Sequence, residues 1–120
     1  MADEGRRRLK AWRRGQYSEL FAALYLLARG YRILAIREKT PLGEIDLIIR
    51  RRDLVAIVEV KARKSVEDAV NAVTYASQKR IRNASDLWLA RQKNAHQISL
   101  RYDIVAVIPW RLPVHLMDAF

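Results

Sequence analysis

The chain has 120 residues, enough for one domain with a single core and too few for two. A hydrophobic fraction of 51% marks a folded globule, while a formal net charge of +10 and a pI near 10.5 favour a polyanionic partner, either nucleic acid or an anionic membrane surface. The absence of cysteine excludes disulfides and thiolate zinc sites, and the two histidines, His96 and His115, are too few and too far apart for a histidine metal centre.

Residues 1–14 are strongly basic, with Arg6, Arg7, Arg8, Lys10, Arg13 and Arg14, and read either as a solvated arm or as the first turns of a helix. They lack the apolar core and cleavage site of a secretory signal. Residues 15–120 make up the domain. A helix is expected over 16–29, with Leu20, Leu24 and Leu27, joined by Phe21 and Ala28, as its core stripe and Gly30 as its stop. The uncharged run 20–28 is too short to span a bilayer, so no membrane partner is expected and the expected location is the cytoplasm. Glu19 either favours the positive end of this helix or reaches a metal patch as an extra carboxylate.

A first strand covers 31–36, with Ile33 and Leu34 as core candidates, and a polar connection with Pro41 covers 37–42. Two apolar strands follow, 43–49 and 54–61, joined by a hairpin turn through Arg51, Arg52 and Asp53. The segment 62–65 is a basic strand exit, and 66–73 reads as a short helical turn. A long helix is expected over 75–91, with Ile81, Ala84 and Trp88 inward and Lys79, Arg82 and Asp86 outward. Gln78, Lys79 and Arg80 fall near its start, where they either meet phosphate or form a solvated basic face. A fourth strand over 99–108 ends at Pro109, and its Asp103 suits a structural partner for a nearby base. The tail 110–120 reads as a short strand or turn plus a terminal helical piece. The order predicts an α/β sandwich: a mixed sheet with an antiparallel hairpin at its heart and helices on its flanks.

The chemistry sits on the central hairpin. Side chains alternate faces along a strand, so Glu44 and Asp46 share a face, as do Glu59 and Lys61. If Arg51 pairs with Leu54, Asp46 stands opposite Glu59 and Glu44 opposite Lys61, while Ile45, Leu47, Ile49, Ala56, Val58 and Val60 form the core face. Two facing carboxylates repel unless a proton or cation lies between them. A hard cation such as Mg²⁺ would find ligands in Asp46, Glu59 and the Val60 carbonyl. Lys61 would then hold an attacking water or a phosphate oxygen, a constellation suited to phosphodiester hydrolysis. The plainer alternative is a Glu44–Lys61 salt bridge with Asp46 and Glu59 solvated.

The motif Gly43-Glu44-Ile45-Asp46-Leu47-Ile48, followed by Val58-Glu59-Val60-Lys61-Ala62-Arg63, resembles the PD-(D/E)XK nuclease superfamily. More closely the chain resembles its YraN-like family of small bacterial proteins, which are similar to archaeal Holliday-junction resolvases. The likeness includes Glu19, Arg29-Gly30-Tyr31, Gln78 with Ile81, Tyr102-Asp103 and the closing Asp118-Ala119-Phe120, and so covers residues 15–120. It implies a restriction-endonuclease-like fold and an endonuclease using Mg²⁺ or Mn²⁺ on DNA, branched or structured DNA among the candidates. Asp46 and Glu59 match the metal-binding acids, Lys61 the catalytic lysine, Glu19 the acid of the first helix, and Gln78 a substrate-orienting position. Glu44 belongs to the signature. Arg63, Lys64, Lys79 and Arg82 are the expected phosphate contacts, binding without reading sequence. Arg37 and Glu38 stand where an Asn is usual, and Ser77 where a Lys is common. A homodimer follows by analogy with resolvases. The rival reading keeps the fold as a nucleic-acid-binding module without the chemistry.

Overall fold

The central hairpin sets the register of the molecule. In a computed structural model that describes residues 2–120, with side chains in the first helix described at 3–8 and 15–28, β2 (Gly43–Arg51) and β3 (Leu54–Ala62) pair antiparallel with Arg51 opposite Leu54. Arg52 takes a positive φ of 57° in the turn, and the Arg50 side chain donates to its carbonyl. This is the register expected from the turn length, and pairing runs from there to Leu47 opposite Val58. Beyond that point the Val60 N–H donates to the Asp46 side chain, so the two strands are joined through a carboxylate.

The full order is α1 (Ala2–Ala28), β1 (Arg32–Thr40), β2, β3, α2 (Val66–Asn71), α3 (Tyr75–Ala90), a 3₁₀ turn at Ala95–Gln97, β4 (Ser99–Val107) and β5 (Val114–Leu116). The five strands lie side by side in chain order as one mixed sheet. Only β3 and β4 run parallel, because α2 and α3 occupy the crossover between them. The chain is thus an α/β domain with helices flanking a five-stranded mixed sheet, an architecture compatible with a restriction-endonuclease-like fold.

Both faces of the sheet are covered. Ala22, Ala23 and Leu26 of α1 pack on Leu47, Ile49, Ala56, Val58 and Val105. Ile81, Ala84 and Trp88 of α3 pack on Ile48, Val55 and Ile57. Each large aliphatic chain buried here contributes about 1.5–3 kcal/mol. The expectation of one core face is therefore corrected: Ile48, Val55 and Ile57, on the strand face opposite to the one expected, form a second core under α3. Ile45 also departs from strict alternation and joins the α3 cluster rather than that of Leu47 and Ile49.

The basic segment forms the first turns of the helix, in one continuous α1, the second of its two readings. Three local expectations are corrected. The expected stripe of that helix is on the wrong side: Leu24 is 67% exposed, and Leu20, Phe21 and Leu27 also face out, while small Ala22 and Ala23 let the helix approach the sheet. β1 continues through the presumed connection to Thr40, with a register shift around Leu34, which is itself exposed. The tail forms β5 on the edge of β4 with no terminal helix. α3 matches the expectation, capped by the Thr74 hydroxyl on the Ser77 N–H, as does the short α2, capped by Ser65 on Asp68.

Candidate active site

The carboxylate-bearing ends of β2 and β3 open into a cleft of about 330 Å³ beside α1. Asp46, Glu59, Val60 and Lys61 line it from the sheet, Gly15, Ser18 and Glu19 from the helix, and Ala62 and Arg63 from the strand exit. One Asp46 oxygen, Oδ2, accepts the Val60 N–H at 2.9 Å, which fixes the carboxyl at the point where the strands separate. Glu59 is buried at 6% exposure, and its Oε1 lies 3.5 Å from Lys61 Nζ. Lys61 therefore pairs along its own strand with Glu59, not across the hairpin with Glu44, which is exposed at the start of β2.

The electrostatics follow from this crowding. Burial, then the nearby Glu59 charge, pushes the Asp46 carboxyl up to about 7. Burial also raises Glu59, against the pull of Lys61, of its hydrogen bond with Asp46 and of the Arg80 charge. Glu19 is raised as well, mainly by burial, although Arg37 opposes the shift. Three carboxyls pushed the same way around one cleft favour a proton or a cation among them.

Glu19 lines the cleft, but its carboxylate is held by the Arg37 guanidinium. Among the described residues no three His, Cys, Asp or Glu side chains converge as a metal-binding group. Asp46 and Glu59 thus form the carboxylate pair, with Glu19 on the wall. Arg37 was missed because 37–42 read as a connection. In the structure it falls in β1 between the pairs Ile36–Leu47 and Glu38–Ile45, opposite Asp46, at a positive φ of 53°. A bulky residue in that conformation is strained, and the bend turns its side chain toward Glu19.

Arg80, expected near the start of α3 to meet phosphate or join a solvated basic face, lies against β2. Its stem crosses β2 at Gly43, where a Cβ would stand 2.9 Å from Arg80 Cγ, and its charge acts on Glu59. The glycine of the Gly-Glu-Ile-Asp motif thus makes room for an arginine from α3. Arg63 lines the cleft and donates its Nη1 to the Ala62 carbonyl, while Lys64 lines an adjoining groove. The other expected phosphate contacts are not brought to the cleft. Gln78 donates its amide to the Val73 carbonyl, Lys79 is exposed on α3, and Arg82 stacks over Tyr102 with 4.5 Å to the ring centre.

A second polar cluster lies on β4 and β5. Asp103 is fully buried and accepts from Arg101 at 2.7 and 2.8 Å and from the Asp118 N–H at 3.0 Å, while His115 Nε2 lies 2.7 Å away. Burial alone would raise its carboxyl, but His115, Arg101 and the Asp118 N–H hold it down to about 2. Arg101 also reaches the Tyr31 hydroxyl, at 3.0 Å. Asp103 is the structural partner expected, and His115 is a half-buried residue of β5 that closes this network. No helix among the described residues is long and apolar enough to cross a membrane.

A family model described as "Uncharacterised protein family UPF0102" matches residues 18–107. A UPF0102 protein of Rhizobium meliloti (strain 1021) is 65% identical over 95% of this chain and 93% of its own length. A UPF0102 protein of Agrobacterium fabrum (strain C58) is 62% identical with the whole of both chains covered, and one of Sinorhizobium medicae (strain WSM419) is 60% identical over 94% of this chain and 93% of its own.

Proposed function

The chain belongs to the uncharacterised protein family UPF0102, and from that premise we propose that it is a metal-dependent endonuclease of the PD-(D/E)XK type that hydrolyses DNA phosphodiester bonds. The observation that carries this reading is buried Glu59 with half-buried Asp46 and Lys61 beside it. A pair of like charges in that setting fits a hard cation, which binds through one or two carboxylates and keeps several waters. Mg²⁺ or Mn²⁺ would be held by Asp46, Glu59 and the Val60 carbonyl. When bound, it would supply water activation and neutralise charge developing on the phosphoryl oxygens.

The chain's own residues do the rest. Val60 N–H fixes the orientation of Asp46 beside Glu59. Lys61 offers an ammonium to a phosphate oxygen or to the attacking water. Arg37 holds Glu19 in the wall, and Arg80 and Arg63 bring positive charge to a site whose substrate is anionic. The cations near the cleft contact phosphate rather than base edges, so selectivity rests on nucleic-acid shape, branched DNA included. This reading places the protein in the cytoplasm, with the DNA.

The homodimer has a surface that supports it. Tyr17, Leu20, Phe21, Leu24 and Leu27 present an uncharged outward face on α1. Its exposed area is roughly 500 Å², of the order of the 800 Å² that each partner gives a standard interface. A second copy is the occupant proposed, because a two-fold contact sets a surface against itself and this face does so without opposing like charges in a chain of net charge +10.

The test of function is incubation of labelled linear, flapped and four-way-junction DNA in Mg²⁺, Mn²⁺ and chelator. Metal-dependent nicking supports the nuclease. Salt-sensitive binding that persists in chelator with no cleavage in either metal replaces it with the binding module.

A further inference from the structure

The turn after β4 carries a side chain that the fold does not use. The chain turns at Pro109 and Trp110, and Trp110 takes a φ of 64°. Proline followed by a positive φ is the pattern of a type II turn, whose third position favours Gly or Asn. A bulky residue there is strained. The indole offers nothing in return within the chain: it is fully exposed, at 103%. Trp110 therefore opposes the turn through its backbone and adds no packing through its ring.

Its position gives the ring a use. β4 runs parallel to β3 with Lys61 opposite Ala106 and Ala62 opposite Val107, and the Arg63 N–H donates to the Val107 carbonyl at 3.1 Å. The strand ends that hold Lys61 thus also hold the Pro109–Trp110 turn. Between them lies a groove of about 630 Å³, walled by Arg63, Lys64, Asp68, Val107, Ile108 and Pro109. It shares Ser18, Ala62 and Arg63 with the carboxylate cleft, so the two are continuous. Trp110 follows Pro109 in sequence, and three residues from Val107 span at most about 10 Å. Exposed Arg63 and Lys64 flank the groove, and exposed Arg111 follows the ring in sequence.

We propose that Trp110 is a stacking platform for an unpaired nucleobase, and that the groove carries the nucleotides between that base and the phosphate held at Lys61. The proposal rests on the nucleic-acid reading of the cleft and narrows its substrate to DNA with a single-stranded segment at that point. An apolar wall where Arg63 and Lys64 outweigh Asp68 suits a base with its phosphates, and an aromatic face accepts any base. A protein docked on the ring would have no need of the continuity with Lys61.

The test is binding in chelator, where cleavage plays no part, by anisotropy of labelled single-stranded, forked and fully duplex oligonucleotides at low salt. Trp110→Gly weakens single-strand and fork binding by about 5- to 100-fold and leaves duplex binding within about twofold, while Trp110→Phe keeps most of the affinity. Its melting temperature equals or exceeds that of the wild type, because glycine relieves the turn. Unchanged single-strand binding overturns the proposal and leaves the ring to a protein partner. Equal losses on all three ligands, with a lowered melting temperature, also overturn it and make Trp110 structural. A wild type that binds none of the three removes the nucleic-acid reading of the cleft itself, a result distinguishable from loss of the stacking alone.

Discussion

Asp46→Asn should stabilise the metal-free protein at alkaline pH. Asparagine keeps the oxygen that accepts the Val60 N–H, and its amide can donate to Glu59, so the substitution removes a charge and little else. The Asp46 carboxyl is raised from 3.8 to about 7 in the folded chain. Between those values the folded state holds a proton that the unfolded state has released. The associated stability is full below pH 3.8, falls as pH rises, and is gone above about pH 7. At 1.36 kcal/mol per unit the whole swing is at most about 4 kcal/mol. Glu59, raised for the same reason, adds a slope of the same sign. Near pH 4 the variant and the wild type should be alike, since the wild-type carboxyl is then protonated. Near pH 8 the variant should gain about 2–4 kcal/mol, or on the order of 10 °C in melting temperature for a chain of this size. Melting followed by circular dichroism in chelator across that range measures the difference. Adding Mn²⁺ at tenfold its dissociation constant should lift the wild type by about 1.4 kcal/mol and leave the variant behind. Equal pH slopes in the two proteins, or a variant that is less stable at pH 8, would refute the account of two carboxyls forced together.

Other consequences test the surroundings of the site. Gly43→Ala places a Cβ 2.9 Å from Arg80 Cγ at a φ of 146°, so it should destabilise by about 1–3 kcal/mol in urea unfolding, and a neutral result would contradict the close approach. Asp103→Ala leaves Arg101 without its buried partner and should cost about 3–5 kcal/mol, whereas a loss under 1 kcal/mol would show the network to be dispensable. Because the Asp103 carboxyl is lowered to about 2, its contribution is present above pH 3.8 and is lost as pH falls toward 2. Leu24→Lys, on the outward face of α1, should leave the fold intact and convert a sedimenting dimer to a monomer; a wild type already monomeric at high concentration would end the dimer proposal.

The hairpin and its acids were legible because a two-residue turn and a period of two fix which residues face each other. The face of α1 was not, for a physical reason: from residue 20 to 28 the helix is apolar all round, and periodicity cannot choose between two apolar faces. The sheet selected Leu26 and the alanines, which allow close approach, and left Leu20, Leu24 and Leu27 outside. The roles of Arg37, Arg80 and His115 escaped because each acts across a long chain separation: Arg37 on Glu19, Arg80 over Gly43, His115 on Asp103. Only Gly43 gave a local hint of its distant partner, as a glycine inside an apolar strand signals close approach of another group.

The central claim is that Asp46, Glu59 and Lys61 form a metal-dependent cleavage site. Its most direct test is the single-turnover cleavage rate of a flapped or junction DNA in Mn²⁺, measured for the wild type, Glu59→Ala and Lys61→Ala at DNA concentrations that saturate each protein. The account predicts a wild-type rate that chelator abolishes, and a fall of about 100-fold or more in both variants with DNA affinity kept. Cleavage that survives either substitution, or a wild type that binds these DNAs and cuts none of them, would contradict it.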